Sequence, residues 1–249
     1  PIHSGMWGGP VPDAATALAR VLARLIDDDG NAAVPGLSDD IPELDAAERT
    51  RLEALPFDEA EFRRDAGLLE GVSLAGDREC SVYERLWHRP AVAVTALEAV
   101  PFATAANQLI DEARARVGVR VAPGQDPKRV ASCVADHLRR DPPAGVRVDT
   151  VTSACVPGWS TRPEGPAFEA ALRALEAGFG RAPAVIGCGG TIPFVGPFSA
   201  AMGGIPQLLL GLEDPPCNAH GENESLDLGD FRKAAKASAH LLFELAGLG

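Results

Sequence analysis

Four short stretches of this 249-residue chain hold residue types that could do chemistry, and they lie far apart in sequence. Gly189-Gly190-Thr191-Ile192-Pro193 stands where an apolar run ends and a helical pattern is about to begin. Successive backbone N–H groups in such a turn point outward without a helical partner, so they can cradle a carboxylate or a phosphate. An ordinary tight turn fits the same five residues. Arg120, in Val117-Gly118-Val119-Arg120-Val121, offers a planar fork of donors that matches a carboxylate through two parallel hydrogen bonds. A solvated arginine on the polar face of a strand is the alternative. His220, in Asn218-Ala219-His220-Gly221-Glu222-Asn223-Glu224, could ligate a metal through a ring nitrogen, with Glu222 or Glu224 orienting the ring. One histidine is not a zinc site, because a catalytic zinc takes three protein ligands and a water. His3, in His3-Ser4-Gly5-Met6-Trp7-Gly8-Gly9, could donate a hydrogen bond to a developing oxyanion. His88, His137 and His240 have nothing convergent around them and read as structural. Ser4 lacks a Gly-x-Ser-x-Gly elbow, which leaves nucleophilic serine catalysis without support.

The elements that must position these residues follow from periodicity. Leu18, Val21, Leu22, Leu25 and Ile26 recur at helical spacing over residues 13–28. An acidic stretch from Gly30 to about Asp77, broken by Pro35, Pro42 and Pro56, holds shorter helical patterns near 44–55 and 57–69. Strands are predicted over 91–97 and 117–122, the second alternating so strictly that Val117, Val119 and Val121 share one face and Arg120 takes the other. Asp126 before Pro127 predicts a helix start with Val130, Val134 and Leu138 as its buried stripe, and 146–152 returns as a strand. With one strand preceding Pro1 this order would make an α+β two-layer sheet. Residues 155–162 read as a crossing linker. Beyond it the pattern is helix 165–177 with Phe168, Leu172 and Leu175 inward, strand 184–187, helix 194–202, strand 207–211 and helix 227–246, the alternation of an α/β layer with parallel strands.

Composition narrows the partners. A formal charge of -12 repels a phosphate backbone or an anionic membrane surface, so no nucleic acid and no membrane is expected as a partner. No apolar run approaches the roughly 20 residues that span a bilayer. Five cysteines are scattered without a Cys-x-x-Cys pair, which argues for reduced thiols in a cytoplasmic protein. Residue 1 is proline and not methionine, so the chain reads as a piece of something longer.

Taken in order, the pieces resemble one family. The opening His3-Ser-Gly-x-x-Gly-Gly followed by a helix is similar to the lid-domain start of the M20 metallopeptidases, which include carnosine-type dipeptidases and related amidohydrolases. Asn107-Gln-Leu-Ile, Val117-Gly-Val-Arg120-Val-Ala-Pro123, Gly189-Gly190-Thr191-Ile-Pro193 and Asn218-Ala-His220-x-x-Asn-Glu224 resemble that family's later motifs, and the match runs over essentially the whole chain.

The resemblance implies an α+β two-layer lid and dimerisation domain over residues 1–150, its first strand missing. An α/β segment of a zinc-peptidase catalytic domain would follow over 151–249. It implies a dipeptidase acting on a peptide bond next to a free carboxylate, with two zinc ions in the parent enzyme and a homodimer formed through the lid. His220 would be a terminal ligand to one zinc. Arg120 with the Gly190–Thr191 backbone would hold the substrate carboxylate, and His3 and Asn107 would reach into a partner subunit's site, His3 as the oxyanion donor. An N-acyl amino acid deacylase would use the same residues, and a non-catalytic dimerisation or peptide-binding module is the reading from another class. The family's remaining metal ligands and its general base precede the lid, so the expectation for this chain by itself is an incomplete zinc site and no turnover.

Overall fold

In the computed structural model, which describes residues 1–189 and 192–248, the chain opens on strand β1 (Ile2–His3) and a single helical turn, α1 (Ser4–Trp7). Asp13 then starts α2 (Ala14–Ala23): its carboxylate accepts from the backbone N–H of Ala15 at 2.8 Å and of Thr16 at 3.2 Å, filling two of the donors that a helix start leaves open. Ala17 and Val21 face inward. The helix ends five residues before the position that its periodicity predicts, because Arg24 closes it and Leu25 turns into the core.

Next come α3 (Ala46–Ala54), α4 (Glu59–Asp65) and α5 (Val82–Trp87). Two strands form the principal sheet, β2 (Ala91–Glu98) and β4 (Arg114–Arg120), antiparallel from Ala91 opposite Arg120 to Glu98 opposite Arg114, with an irregularity between Val94 and Ala96. Between them β3 (Gln108–Leu109) pairs antiparallel with β1, His3 opposite Gln108 and Ile2 opposite Leu109. Asp126 caps α6 (Pro127–Arg139) as its sequence predicts, accepting from Lys128 N–H at 2.9 Å. α7 (Pro166–Phe179), α8 (Val195–Ala201) and α9 (Leu228–Ala246) complete the order, the last capped by Asp227, which accepts from Asp230 N–H at 2.8 Å. The fold is α+β, with helices and small sheets.

The chain divides into two compact units. The first comprises Pro1–Asp45, Leu74–Gly158 and Cys188–Thr191; the second comprises Ala46–Ser73, Trp159–Gly187 and Ile192–Gly249. In the first, Leu25, Val34, Leu37, Val92, Val130 and Val134 form one buried cluster, with Val117, Val119 and Val121 against it. One face of the β2–β4 ladder therefore meets the ends of α2 and α6, a two-layer arrangement. Two polar devices hold it. Arg24 donates from Nη1 to Arg140 O at 2.6 Å and from Nη2 to Leu138 O at 3.1 Å, supplying the donors that the last carbonyls of α6 lack. His137 returns a bond from Nε2 to Arg24 O at 2.9 Å, the structural role that its sequence context predicts. Buried Gln125 accepts from Ala122 N–H at 2.8 Å and donates to Leu37 O at 2.6 Å, pinning the loop after α2 to the start of α6.

In the second unit α7 packs on α9 through small residues. Ala170, Ala171, Ala174 and Ala237 are buried, whereas the predicted stripe Phe168, Leu172 and Leu175 is only half-buried. The reason is backbone proximity: a Cβ at Gly178 would lie 2.6 Å from the Ala237 Cβ, so only short side chains fit the crossing. The runs 146–152, 184–187 and 207–211 are not strands, contrary to their patterning. A strand exists only where a neighbour completes its hydrogen bonds, and among the described residues none lies beside these runs.

Two substitutions test this packing. Alanine at 178 gains up to about 1 kcal/mol of helix propensity, but its methyl meets the Lys233 carbonyl oxygen at 2.7 Å, backbone that cannot swing aside. Overpacking of that kind costs roughly 1–3 kcal/mol, so Gly178→Ala is expected to be destabilising on balance, by about 1 kcal/mol. An unchanged or raised urea midpoint contradicts it. Gln125→Leu keeps the volume but strands the Ala122 N–H and the Leu37 carbonyl, and is expected to cost about 2 kcal/mol or more. Thermal and urea unfolding read this directly, and a loss below about half a kcal/mol would mean that other groups satisfy both atoms.

Candidate functional site

His3 is built by its neighbours. Its ring Nδ1 accepts from Gly5 N–H at 3.1 Å, capping α1. A neutral imidazole that accepts at Nδ1 carries its proton on Nε2, so the bond fixes which nitrogen can donate. Gly5 belongs to this arrangement, since a Cβ there would sit 2.9 Å from His3 Cε1. The β1–β3 pairing continues into Ser4, whose N–H and Oγ both donate to Asn107 O, at 2.9 and 2.8 Å. The structure thus brings His3 and Asn107 together at one exposed edge of the first unit, although residues 1–12 show no element in their sequence pattern.

Arg120 is exposed at the end of β4, on the face opposite Val117, Val119 and Val121, as alternation predicts. Its Nη1 donates to Gly189 O at 2.6 Å, a bond across 69 residues of sequence. Arg120 and the start of the glycine turn therefore converge within the first unit. Gly190 and Thr191 lie outside the described residues.

His220 belongs to the second unit. It is exposed with φ at 65°, between Asn218 at 56° and Asn223 at 60°, three non-glycine residues in the left-handed region within one loop. Local bonds hold that loop: Gly221 N–H donates to Asn218 O and Asn218 Nδ2 to Glu222 O, both at 2.8 Å, while Ser225 N–H donates to the carbonyl of buried Cys217 at 2.9 Å. A side chain at 221 would displace the Asn218 amide, which a Cβ there would meet at 2.3 Å. Strain of this kind persists where the surroundings over-determine it.

Sequence reasoning missed a polar cluster at the start of α5. Glu84, 7% exposed, accepts from Arg89 Nη2 at 2.6 Å, and Cys80 Sγ donates to Asp77 Oδ2 at 3.4 Å. Burial pushes the Cys80 thiol up, and the Asp77 hydrogen bond pushes it further, which favours the thiol over the thiolate. The available signal was Ser81-Val-Tyr-Glu84, a capping box whose Ser81 accepts from Glu84 N–H at 3.1 Å. Among the described residues no three His, Cys, Asp or Glu side chains come together closely enough to hold a metal ion, and no helix is long and apolar enough to cross a membrane.

Residues 1–146 match the peptidase dimerisation domain of the M20 family. Over 243 residues the chain is 32% identical to a cysteinylglycine-S-conjugate dipeptidase from Corynebacterium striatum, covering 97% of this chain and 51% of that protein. It is 25% identical to a Beta-Ala-His dipeptidase from Rattus norvegicus, over 99% of this chain and 50% of that protein. The chain thus spans about half the length of the curated relatives it matches. Human carnosine dipeptidase 1 shares the fold with a TM-score of 0.82 at 22% identity, over 99% of this chain and 52% of that one. An M20 family metallo-carboxypeptidase from Sulfolobus solfataricus gives 0.81 at 24% identity, over 97% and 54%. With more than half its length matched to the domain model and its relatives named as dipeptidases, the chain belongs to the M20 peptidase dimerisation-domain family.

Proposed function

We propose that this chain is the carboxylate-reading and dimerising portion of a zinc-dependent dipeptidase that cleaves a peptide bond next to a free carboxylate. The observation that carries the reading is the Arg120 guanidinium held against the Gly189 carbonyl, because it sets a group suited to gripping a carboxylate beside the first residue of the Gly189–Pro193 motif. In this reading Arg120 and the Gly190–Thr191 backbone grip the substrate carboxylate. The relatives that act on a cysteinylglycine conjugate and on Beta-Ala-His favour a dipeptide over an N-acyl amino acid as the substrate.

His3 takes the oxyanion role, donating from Nε2 to the oxygen that gains charge as the scissile carbonyl becomes tetrahedral. The Gly5 bond to Nδ1 supports this by leaving the proton on the correct nitrogen. His3 and Asn107 act in a partner subunit's site, with residues 1–150 as the lid and dimer-forming domain and 151–249 as the end of the catalytic domain. The match of the dimerisation-domain model to residues 1–146 supports that division. His220 is proposed as one zinc ligand. The donors described in this chain do not by themselves make a metal site. Five free cysteines support a reducing, cytoplasmic setting.

Two variants of the whole hydrolase test these roles. Arg120→Ala is expected to lower kcat/KM for a free dipeptide about 100-fold relative to its C-terminal amide, the scale of losing one partner of a charge pair. An unchanged free-to-amide ratio removes the clamp. His3→Ala is expected to reduce kcat by roughly two orders of magnitude while the zinc content stays that of the unsubstituted enzyme. Loss of zinc in that variant contradicts an oxyanion role.

A further inference from the structure

We infer that Arg120 is also a positioning residue, whose guanidinium anchors the Gly189 backbone to strand β4. Three observations converge on it. Cys188–Thr191 is a short excursion of the chain, counted with the first unit although the residues on either side of it, Trp159–Gly187 and Ile192–Gly249, belong to the second. The Arg120 Nη1 bond to Gly189 O, at 2.6 Å, joins that excursion to the last residue of β4. On the side where a Gly189 side chain would stand, no heavy atom of the described residues lies within 4 Å, so no contact there duplicates the bond. A carbonyl accepting from a cation is held more strongly than one accepting from a neutral donor, and the ladder opposite Ala91 fixes the strand that carries the cation. The placement of the Gly189 carbonyl therefore depends on the same side chain that we assign to the substrate carboxylate.

Removing Arg120 then does two things. It deletes a ligand for the carboxylate, which concerns only substrates that have one, and it frees the Gly189 backbone, which concerns every substrate. The catalytic consequence rests on the dipeptidase reading, whereas the anchor itself rests on the geometry alone.

The experiment has one arm for each. In the isotopically labelled chain, the Gly189 carbonyl carbon resonance is followed in Arg120→Met, which keeps the aliphatic stem and removes the donors, and in Arg120→Gln, whose amide is too short to reach. An upfield shift at Gly189, with the resonances of core residues Val92 and Val130 unmoved, is the expected result. A Gly189 resonance that stays in place in whichever variant folds overturns the anchor. In the whole enzyme, Arg120→Met is expected to weaken an amidated dipeptide several-fold as well, read as KM or as competitive inhibition, beneath a larger loss for the free dipeptide. Arg120→Lys, which restores a charged donor, is expected to recover part of the amide's affinity. A Gly189 shift without any effect on the amide overturns the positioning role. If the unsubstituted whole enzyme cleaves no dipeptide at all, the dipeptidase reading fails and the carbonyl resonance still decides the anchor.

Discussion

At the end of the β2–β4 ladder that carries Val92, one face packs against the core and the other does not, and the aim of Arg120 follows from that constraint. Side chains alternate along a strand, so once Val117, Val119 and Val121 turn to the cluster formed by Leu25, Leu37, Val130 and Val134, Arg120 has no inward option. The register that buries Val92 opposite Val119 also sets Arg120 opposite Ala91, at the end of the ladder, where it meets Gly189. A one-residue slip would turn the guanidinium into the core and the valines to water. Hydrophobic burial and the aim of the candidate ligand are thus one decision.

The second unit is built on a different compromise. Its α7–α9 crossing brings backbone so close that Gly178 and four alanines occupy the contact, which trades buried apolar volume for proximity. Arg173 and Glu244 add an ion pair at 2.7 Å on the exposed side of the same crossing, worth little in such a setting. The loop that carries His220 is held differently, by local hydrogen bonds around three left-handed residues.

What could be read from the sequence was local. Asp13, Asp126 and Asp227 announce their helices because a capping carboxylate and the donors it satisfies lie within three residues of each other. Arg120's face was legible because alternation is a property of the strand itself. The runs 146–152, 184–187 and 207–211 misled because pairing is not local: their apolar residues meet a strand's preference, but the partner is not written into the run. The Phe168, Leu172 and Leu175 stripe misled because size alone suggested burial, and the distance between two helix backbones decided otherwise. For the site, residue types were legible, but the ring nitrogen of His3 that bears the proton, the Gly189 carbonyl bound by Arg120 and the left-handed backbone of His220 were not.

The clasp between Arg24 and the end of α6 has a consequence for synthesis. Its two halves are separated by 116 residues, so when α2 leaves the ribosome its guanidinium has no carbonyls to bind and Leu25 has no core to enter. The β1 edge waits similarly for residue 108. Non-local closure of this kind delays folding until the distant segment exists. The first unit therefore closes late, once α6 is available to the segment that carries α2.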